Sequence, residues 1–211
     1  IQTKFRNETR AKSGLLRGRE FLMKDLYSFH TDEDDLDKYF ERVAVAYQNI
    51  FNRSGVKALR TLASGGLFSK YSDEFQVLAA AGEDTIFVCP ECEYAANIDV
   101  ADTIENKICS KCGTKLNEEK SIEVGNIFKL GTKYSLAFDL NYTDENGKKK
   151  PVIMASYGIG PGRLMATAVE VSHDDKGIIW PKAIAPYKVH LISLSSNERG
   201  EKIYEDLIKA G

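Results

Sequence analysis

The stretch that decides the fold runs from Gln2 to His30 and reads QTKFRNETRAKSGLLRGREFLMKDLYSFH. Two strand-like runs, residues 1–5 and 21–29, flank a basic, glycine-containing segment, residues 6–19. Leu22, Leu26, Tyr27 and Phe29 suit a buried strand and its exit, and the segment between the runs is expected to be a long loop. Arg6, Arg10, Lys12, Arg17, Arg19 and Lys24 crowd this region, with Glu8 among them. Arginine forks grip phosphate oxygens in pairs, and a loop held between strands positions such forks. Glu8 would be repelled by phosphate yet could accept a base amino group, and Phe21 offers a ring face for stacking. A solvated basic hairpin is the alternative.

Outward from this stretch the pattern turns helical. Thr31 is the expected N-cap, residues 32–35 place acids in the first turn, and Gly55 follows the end. Leu36, Tyr39, Phe40, Val43, Tyr47, Ile50 and Phe51 form one apolar stripe. Strands are expected at 56–62 and 74–80 around Gly65-Gly66. Further strands at 134–142 and 151–157 would flank a hairpin turn at Asn146-Gly147. A helix is expected from Pro161 towards Val171, a strand at 188–194 and a helix at 197–209, the start of a second α/β unit.

Residues 85–120 are short-patterned and contain all four cysteines. Cys89-x2-Cys92 and Cys109-x2-Cys112 are separated by 16 residues, a zinc-ribbon spacing. Two such knuckles complete a tetrahedral S₄ shell, and a closed shell leaves no position for substrate, so a bound Zn²⁺ would be structural. Four free thiols or two redox pairs are the alternatives.

Tyr157-Gly158-Ile159-Gly160-Pro161-Gly162-Arg163 lets backbone approach a ligand closely and ends at a helix start with unpaired N–H groups. Arg163 would add full charge there. Alone this run is as well explained by a plain strand-to-helix turn; it is neither a P-loop nor a dinucleotide fingerprint.

The 211 residues carry 29 basic and 31 acidic side chains, a formal charge of −2, so bulk charge alone would not hold the protein to nucleic acid. With 43% apolar and 28% charged residues the chain is neither disordered nor fibrous. No apolar run approaches the roughly 20 residues of a membrane span, and no signal peptide is seen, so cytoplasm is the expected compartment. The start at Ile1, without Met, beside a dense motif, leads us to expect a segment of a longer polypeptide.

Taken together, Phe5-Arg6-Asn7-Glu8, the loop closing in Arg17-Gly18-Arg19-Glu20-Phe21, and the late Gly-Ile-Gly-Pro-Gly-Arg resemble motifs 2 and 3 of the class II aminoacyl-tRNA synthetases. Residues 2–30, Asp73-Glu74-Phe75-Gln76, Tyr94-Ala95-Ala96-Asn97, Ile122-Glu123-Val124-Gly125, residues 130–135 and residues 180–187 resemble the bacterial-type prolyl-tRNA synthetases, in the same order. The resemblance implies an α+β fold: an antiparallel-sheet catalytic core over 1–84 and 121–183, a zinc ribbon inserted at 85–120, and the start of an α/β anticodon-binding domain at 184–211. It implies activation of proline with ATP and Mg²⁺ and its transfer to tRNA(Pro) by a homodimer, with no membrane partner.

By the same resemblance Arg6 would bind the α-phosphate, Glu8 the adenine amino group and Phe21 the ring. Arg17 and Arg163 would hold the outer phosphates or the ring's other face, and Glu123 a magnesium ion. Met23, Asp25, Phe128, Ser156 and Gly158 would surround proline. His30, His173 and His190 receive no role. The chain departs from the family at Asp73, where a His is usual, at Asn126, another frequent His, and at Ser156, a common Cys position. About two dozen residues stand where many relatives carry a long editing insertion, so clearing of mischarged alanyl-tRNA in cis is not expected. Motif 1 and the Thr-x-Glu loop that holds proline's amine would lie upstream of Ile1. The alternative function is a non-catalytic synthetase-like module that binds RNA or a partner through the ribbon and basic loop. An isolated zinc-ribbon nucleic-acid protein fits less well, given the charge and the ribbon's small share of the chain.

Overall fold

The computed structural model describes residues 1–194 and 198–211. In chain order these residues form β1 (Gln2–Phe5), β2 (Glu20–His30), α1 (Glu33–Arg53), β3 (Ala58–Ser64), β4 (Tyr71–Leu78), β5 (Asp84–Val88) and β6 (Ala95–Asn97). There follow β7 (Asn117–Gly131), α2 (Lys133–Ala137), β8 (Asn141–Thr143), β9 (Lys149–Pro151), β10 (Ile153–Ile159) and α3 (Pro161–Val171). Two short strands, β11 (His173–Asp174) and β12 (Gly177–Ile178), and α4 (Glu198–Ala210) complete the set.

Eight strands build one sheet in the order β1-β2-β10-β7-β4-β3-β6-β5, with β5 also paired to β7. The β3–β6 pair is parallel and the other pairs are antiparallel. This is the expected α+β architecture. Helix α1 covers one face. Leu36, Phe40, Val43, Tyr47 and Phe51 pack against Phe75 and Val77 of β4, Val124 and Ile127 of β7, and Ala155, Tyr157 and Ile159 of β10. The opposite face is left for the site.

Several details differ from the sequence expectation. The N-cap is Asp32 rather than Thr31: its carboxylate accepts the Asp35 N–H at 2.8 Å. A carboxylate satisfies an orphan donor and the helix dipole together. Ile50 sits at the rim of the stripe and is 37% exposed, not core. In β2, Leu22, Tyr27 and Phe29 are exposed rather than buried, the buried positions being Ser28 and His30, which alternate with Tyr27 and Phe29. Residues 134–142 are not one strand; Lys133–Ala137 closes a helical turn, and only β8 pairs, with β9, around a turn in which Gly147 takes the positive φ of 76°. Among the described residues, 188–194 belong to no ladder, so the expected strand is not formed, and α4 buries none of its residues. Asn197, the expected first residue of that helix, lies outside the described residues.

The cysteine segment is continuous with the main sheet: β5 pairs with β7 and β6 pairs with β3, so both knuckles are anchored by core strands. Among the described residues no helix is long and apolar enough to cross a membrane.

A β-bulge decides what the free face presents. Between β4 and β7 the register slips, so that Phe75 pairs with Gly125 while Gln76 pairs with Glu123, leaving Val124 unmatched. Val124 and Gly125 therefore both turn towards α1. A Cβ at Gly125 would come within 3.1 Å of Phe51 and 3.0 Å of the Gly158 carbonyl oxygen, which explains the glycine. Beyond the slip, Glu123 and Asn126 share the opposite face, although strict alternation would separate them.

Candidate functional site

A cleft of about 670 Å³, counting the space open to solvent, lies on that face between the 6–19 loop, β2, β7 and the start of α3. Arg6, Glu8, Arg17, Phe21, Met23, Glu123, Gly158 and Arg163 line it, together with Leu16, Gly125 and Asn126. Eight sequence-selected residues, 157 positions apart at the extremes, thus converge on one space.

The loop that carries the first arginines is folded, not slack. Gly14–Leu16 forms a single 3₁₀ turn, Lys12 and Arg17 bridge across it, and the Arg6 N–H donates to the Arg19 carbonyl at 2.9 Å. Glu8 is its knot. One carboxylate oxygen accepts the Arg10 N–H at 2.8 Å and the other accepts Arg17 Nη1 at 2.8 Å, while its carbonyl accepts Arg19 Nε at 2.9 Å. These bonds hold the Glu8 carboxyl below its ordinary range, the Arg10 backbone donor contributing most and Arg17 next.

The three cavity arginines differ in what they hold. Arg6 lies over the Phe21 ring, 5.2 Å from its centroid, with no carboxylate partner among the described residues. Arg17 is shared between Glu8 and Glu83, the latter at 2.6 Å. Arg163, in the first turn of α3, donates Nε to the Leu16 carbonyl at 2.9 Å and Nη1 to Glu123 Oε2 at 3.1 Å. It therefore ties the 3₁₀ turn of the basic loop to β7.

Glu123 is held from both sides, because Asn126 Nδ2 donates to its other oxygen at 2.8 Å. Next to it, Glu74 of β4 accepts from Gln76 Nε2 at 2.8 Å and Asn97 Nδ2 at 3.0 Å. Burial, with the Glu123 charge second, pushes the Glu74 carboxyl up to about 7. Gln76 Nε2 also reaches Asp84 at 2.9 Å, while the Gln76 side-chain Oε1 is buried without a partner among the described residues.

Other selected residues lie farther out. Asp25 opposes Gly158 across the β2–β10 ladder but pairs with Lys4 at 2.9 Å and is not among the cleft's walls. Ser156 opposes Tyr27 and Phe128, and Phe128 packs on Phe68 with centroids 5.4 Å apart, one strand row beyond the cleft. Sequence reading passed over Asn126 as a pocket-lining donor, Leu16 as an arginine acceptor, and the Glu74–Gln76–Asn97 network. The only available signal was their position in or beside quoted motifs, since the bulge that aligns Glu123 with Asn126 leaves no mark on composition.

Of the three histidines left without a role, His30 is structural. His30 is buried, with Nδ1 2.6 Å from Asp35 and Nε2 2.8 Å from Ser28 Oγ, which lies 2.9 Å from the Tyr157 hydroxyl. These contacts sit on the α1 side of the sheet, away from the cleft.

The four cysteines form a second centre. Sγ separations are 3.4 Å for Cys89–Cys112, 3.5 Å for Cys92–Cys109 and 3.7 Å for Cys92–Cys112, and all four sulfurs lie within 4.8 Å of one another. A tetrahedron with 2.3 Å metal–sulfur bonds has edges of about 3.8 Å, so the set fits one mononuclear ion. Phe87 and Leu116 pack around the buried Cys89 and Cys109. The Thr114 hydroxyl and backbone N–H favour the thiolate of Cys112, lowering it to about 6.

Residues 1–172 match the model of the tRNA synthetase class II core domain (G, H, P, S and T). The chain is 45% identical over 229 residues to a proline–tRNA ligase of Sulfurimonas denitrificans, covering 98% of this chain and 52% of that protein. It is 38% identical over 218 residues to a probable mitochondrial proline–tRNA ligase of Rattus norvegicus, covering 100% of this chain and 46% of that protein. The chain thus spans about half the length of the curated relatives it matches. Among solved structures, prolyl-tRNA synthetase from Cryptosporidium parvum complexed with L-proline and AMP superposes with a TM-score of 0.70 over 98% of this chain and 36% of that one. At 15% identity this likeness speaks for the fold. The chain belongs to the class II tRNA synthetase core family.

Proposed function

We propose that this chain carries the adenylate-forming centre of a proline–tRNA ligase. The protein would join proline to ATP with release of pyrophosphate and transfer the prolyl group to the 3′ end of tRNA(Pro). The convergence of Arg6, Glu123 and Arg163 on one cleft carries the reading, and relatives named proline–tRNA ligase support it. A module that only bound RNA or a partner would have no need of this set.

In the proposed reaction a carboxylate oxygen of proline attacks the α-phosphorus, and the bond from that phosphorus to the bridging oxygen of pyrophosphate breaks. No covalent catalyst is required; positioning and charge neutralisation suffice. Arg6, the cavity arginine without a carboxylate partner, is free to meet the α-phosphate. Phe21 stacks on adenine, and Glu8 accepts from its amino group. Arg17 and Arg163 exchange their carboxylate partners for the outer phosphates or the far side of the ring. Glu123 offers a hard oxygen ligand suited to Mg²⁺, which when bound neutralises phosphate charge. Met23 and Gly158 floor the proline end, with Asp25, Phe128 and Ser156 forming a second row behind them.

The Cys89, Cys92, Cys109 and Cys112 set would hold one structural Zn²⁺, its sulfur spacing being the support. Free thiols of this kind suit a reducing compartment, the cytoplasm. The full-length protein is proposed to act as a homodimer. ATP–pyrophosphate exchange measured with glycine, histidine, proline, serine and threonine in parallel tests the reading. Exchange driven by proline is expected; exchange driven by another of the five would refute the substrate assignment.

A further inference from the structure

We propose that Asn126 is a positioning residue that fixes how Glu123 presents its carboxylate to the divalent cation carried with ATP. The inference rests on the reading of the cleft as a nucleotide site.

Three observations carry it. The β7 bulge at Val124 brings residues 123 and 126 to the same face, where Asn126 Nδ2 donates to Glu123 Oε1 at 2.8 Å. Arg163 holds the other oxygen at 3.1 Å. Gly158 leaves room for the amide in this position, since a Cβ there would stand 3.2 Å from its Oδ1 and push it aside.

The two donors are not equivalent. Arg163 is a cation, and incoming phosphates compete with Glu123 for it. Asn126 is neutral and has no such competitor. Once Arg163 turns to phosphate, the amide is the donor that still fixes the carboxylate's torsions. It does so without cancelling the negative charge a cation needs. Each carboxylate oxygen accepts more than one hydrogen bond or ligand, so the amide leaves coordination capacity on the cleft side.

Mn²⁺ binding to the whole chain, followed by electron paramagnetic resonance with and without the non-hydrolysable nucleotide AMPPNP, tests this. Asn126→Ala and the near-isosteric Asn126→Leu are expected to weaken nucleotide-dependent Mn²⁺ binding about three- to tenfold, the range of one neutral hydrogen bond. AMPPNP affinity without metal should stay within twofold of the unsubstituted protein. Asn126→Gln, which keeps an amide donor, should restore most of the Mn²⁺ affinity. Unchanged Mn²⁺ binding in both Ala and Leu variants would overturn the role of Asn126, as would equal weakening in the Gln variant or an equal loss of metal-free nucleotide binding. Absence of any nucleotide-dependent Mn²⁺ site in the unsubstituted protein would instead overturn the nucleotide-site reading, and this inference with it.

Discussion

Arg163 and Glu123, forty residues apart in sequence, meet at 3.1 Å, and the same guanidinium reaches the Leu16 carbonyl at 2.9 Å. One side chain thus joins the glycine-rich turn, the bulged strand β7 and the basic loop. Removing it should cost function far more than folding, because neither bond is deeply buried. Arg163→Ala is expected to lower proline-dependent exchange by about 10²-fold or more, the scale for losing a preorganised charge at a transition state. Arg163→Lys keeps the charge but cannot span both acceptors, and should recover only part of the loss. Urea unfolding of both variants should lie within about 1 kcal/mol of the unsubstituted protein. A fully active Arg163→Ala would remove this residue from the site.

Beneath the sheet, Tyr157, Ser28, His30 and Asp35 form a chain of hydrogen bonds. The Asp35 carboxylate accepts from the His30 Nδ1–H, His30 Nε2 lies 2.8 Å from Ser28 Oγ, and Ser28 Oγ lies 2.9 Å from the Tyr157 hydroxyl. Tyr157→Phe should cost about 1 kcal/mol of stability, and His30→Ala about 2–4 kcal/mol, since it strands two buried partners and leaves a cavity. Chemical denaturation measures both; a His30→Ala loss below that of Tyr157→Phe would contradict the chain.

Glu74 makes stability depend on pH in an unusual sense. Its carboxyl is raised from 4.5 to about 7, chiefly by burial and next by the Glu123 charge. Between those values the native state keeps a proton that the unfolded chain has released. Stability contributed by this group therefore falls as pH rises from about 4.5 to 7. Glu74→Gln can still accept from Gln76 and Asn97 and carries no charge. It should be more stable than the unsubstituted protein at pH 8, by up to about 3 kcal/mol, and little different at pH 4.5. Parallel stability-versus-pH curves for the two proteins would exclude the effect.

For the cysteine centre, metal analysis of reduced protein should return about one zinc per chain. Cys109→Ser should lose it. The melting temperature should then drop by at least about 5 °C, as each kcal/mol moves a chain of this size by about 2–4 °C. Because β5 and β6 flank the first knuckle and β7 follows the second, hydrogen exchange should rise first in those strands. Metal-free protein with an unchanged melting curve would show that the ion is dispensable.

How much of this was legible in the sequence depended on whether a signal was local. The α1 stripe apart from Ile50, the extent of β2 though not the burial of its Leu22, Tyr27 and Phe29, the Pro161 helix start and the paired Cys-x-x-Cys knuckles follow from short-range periodicity and spacing, and the structure has them. Arg6, Glu8, Arg17, Phe21, Met23, Glu123, Gly158 and Arg163 were named from motifs and do share one cleft. What escaped depends on long-range pairing. Residues 134–137 alternate no better than they coil, and the helical turn wins only where β10 already occupies the adjoining edge of β7. Residues 188–194 have strand composition but stand in no described ladder. The Val124 bulge requires the β4 register to be known, so Asn126 registered only as an unusual residue in a motif and not as the donor on Glu123.

The most direct measurement is capture of the reaction intermediate. Incubated with ATP, Mg²⁺ and labelled amino acids, the protein is expected to retain a prolyl-adenylate, about one per cleft, and Arg163→Ala to retain none. An adenylate of a different amino acid, or prolyl-adenylate formed equally well by Arg163→Ala, would contradict the assignment of this cleft.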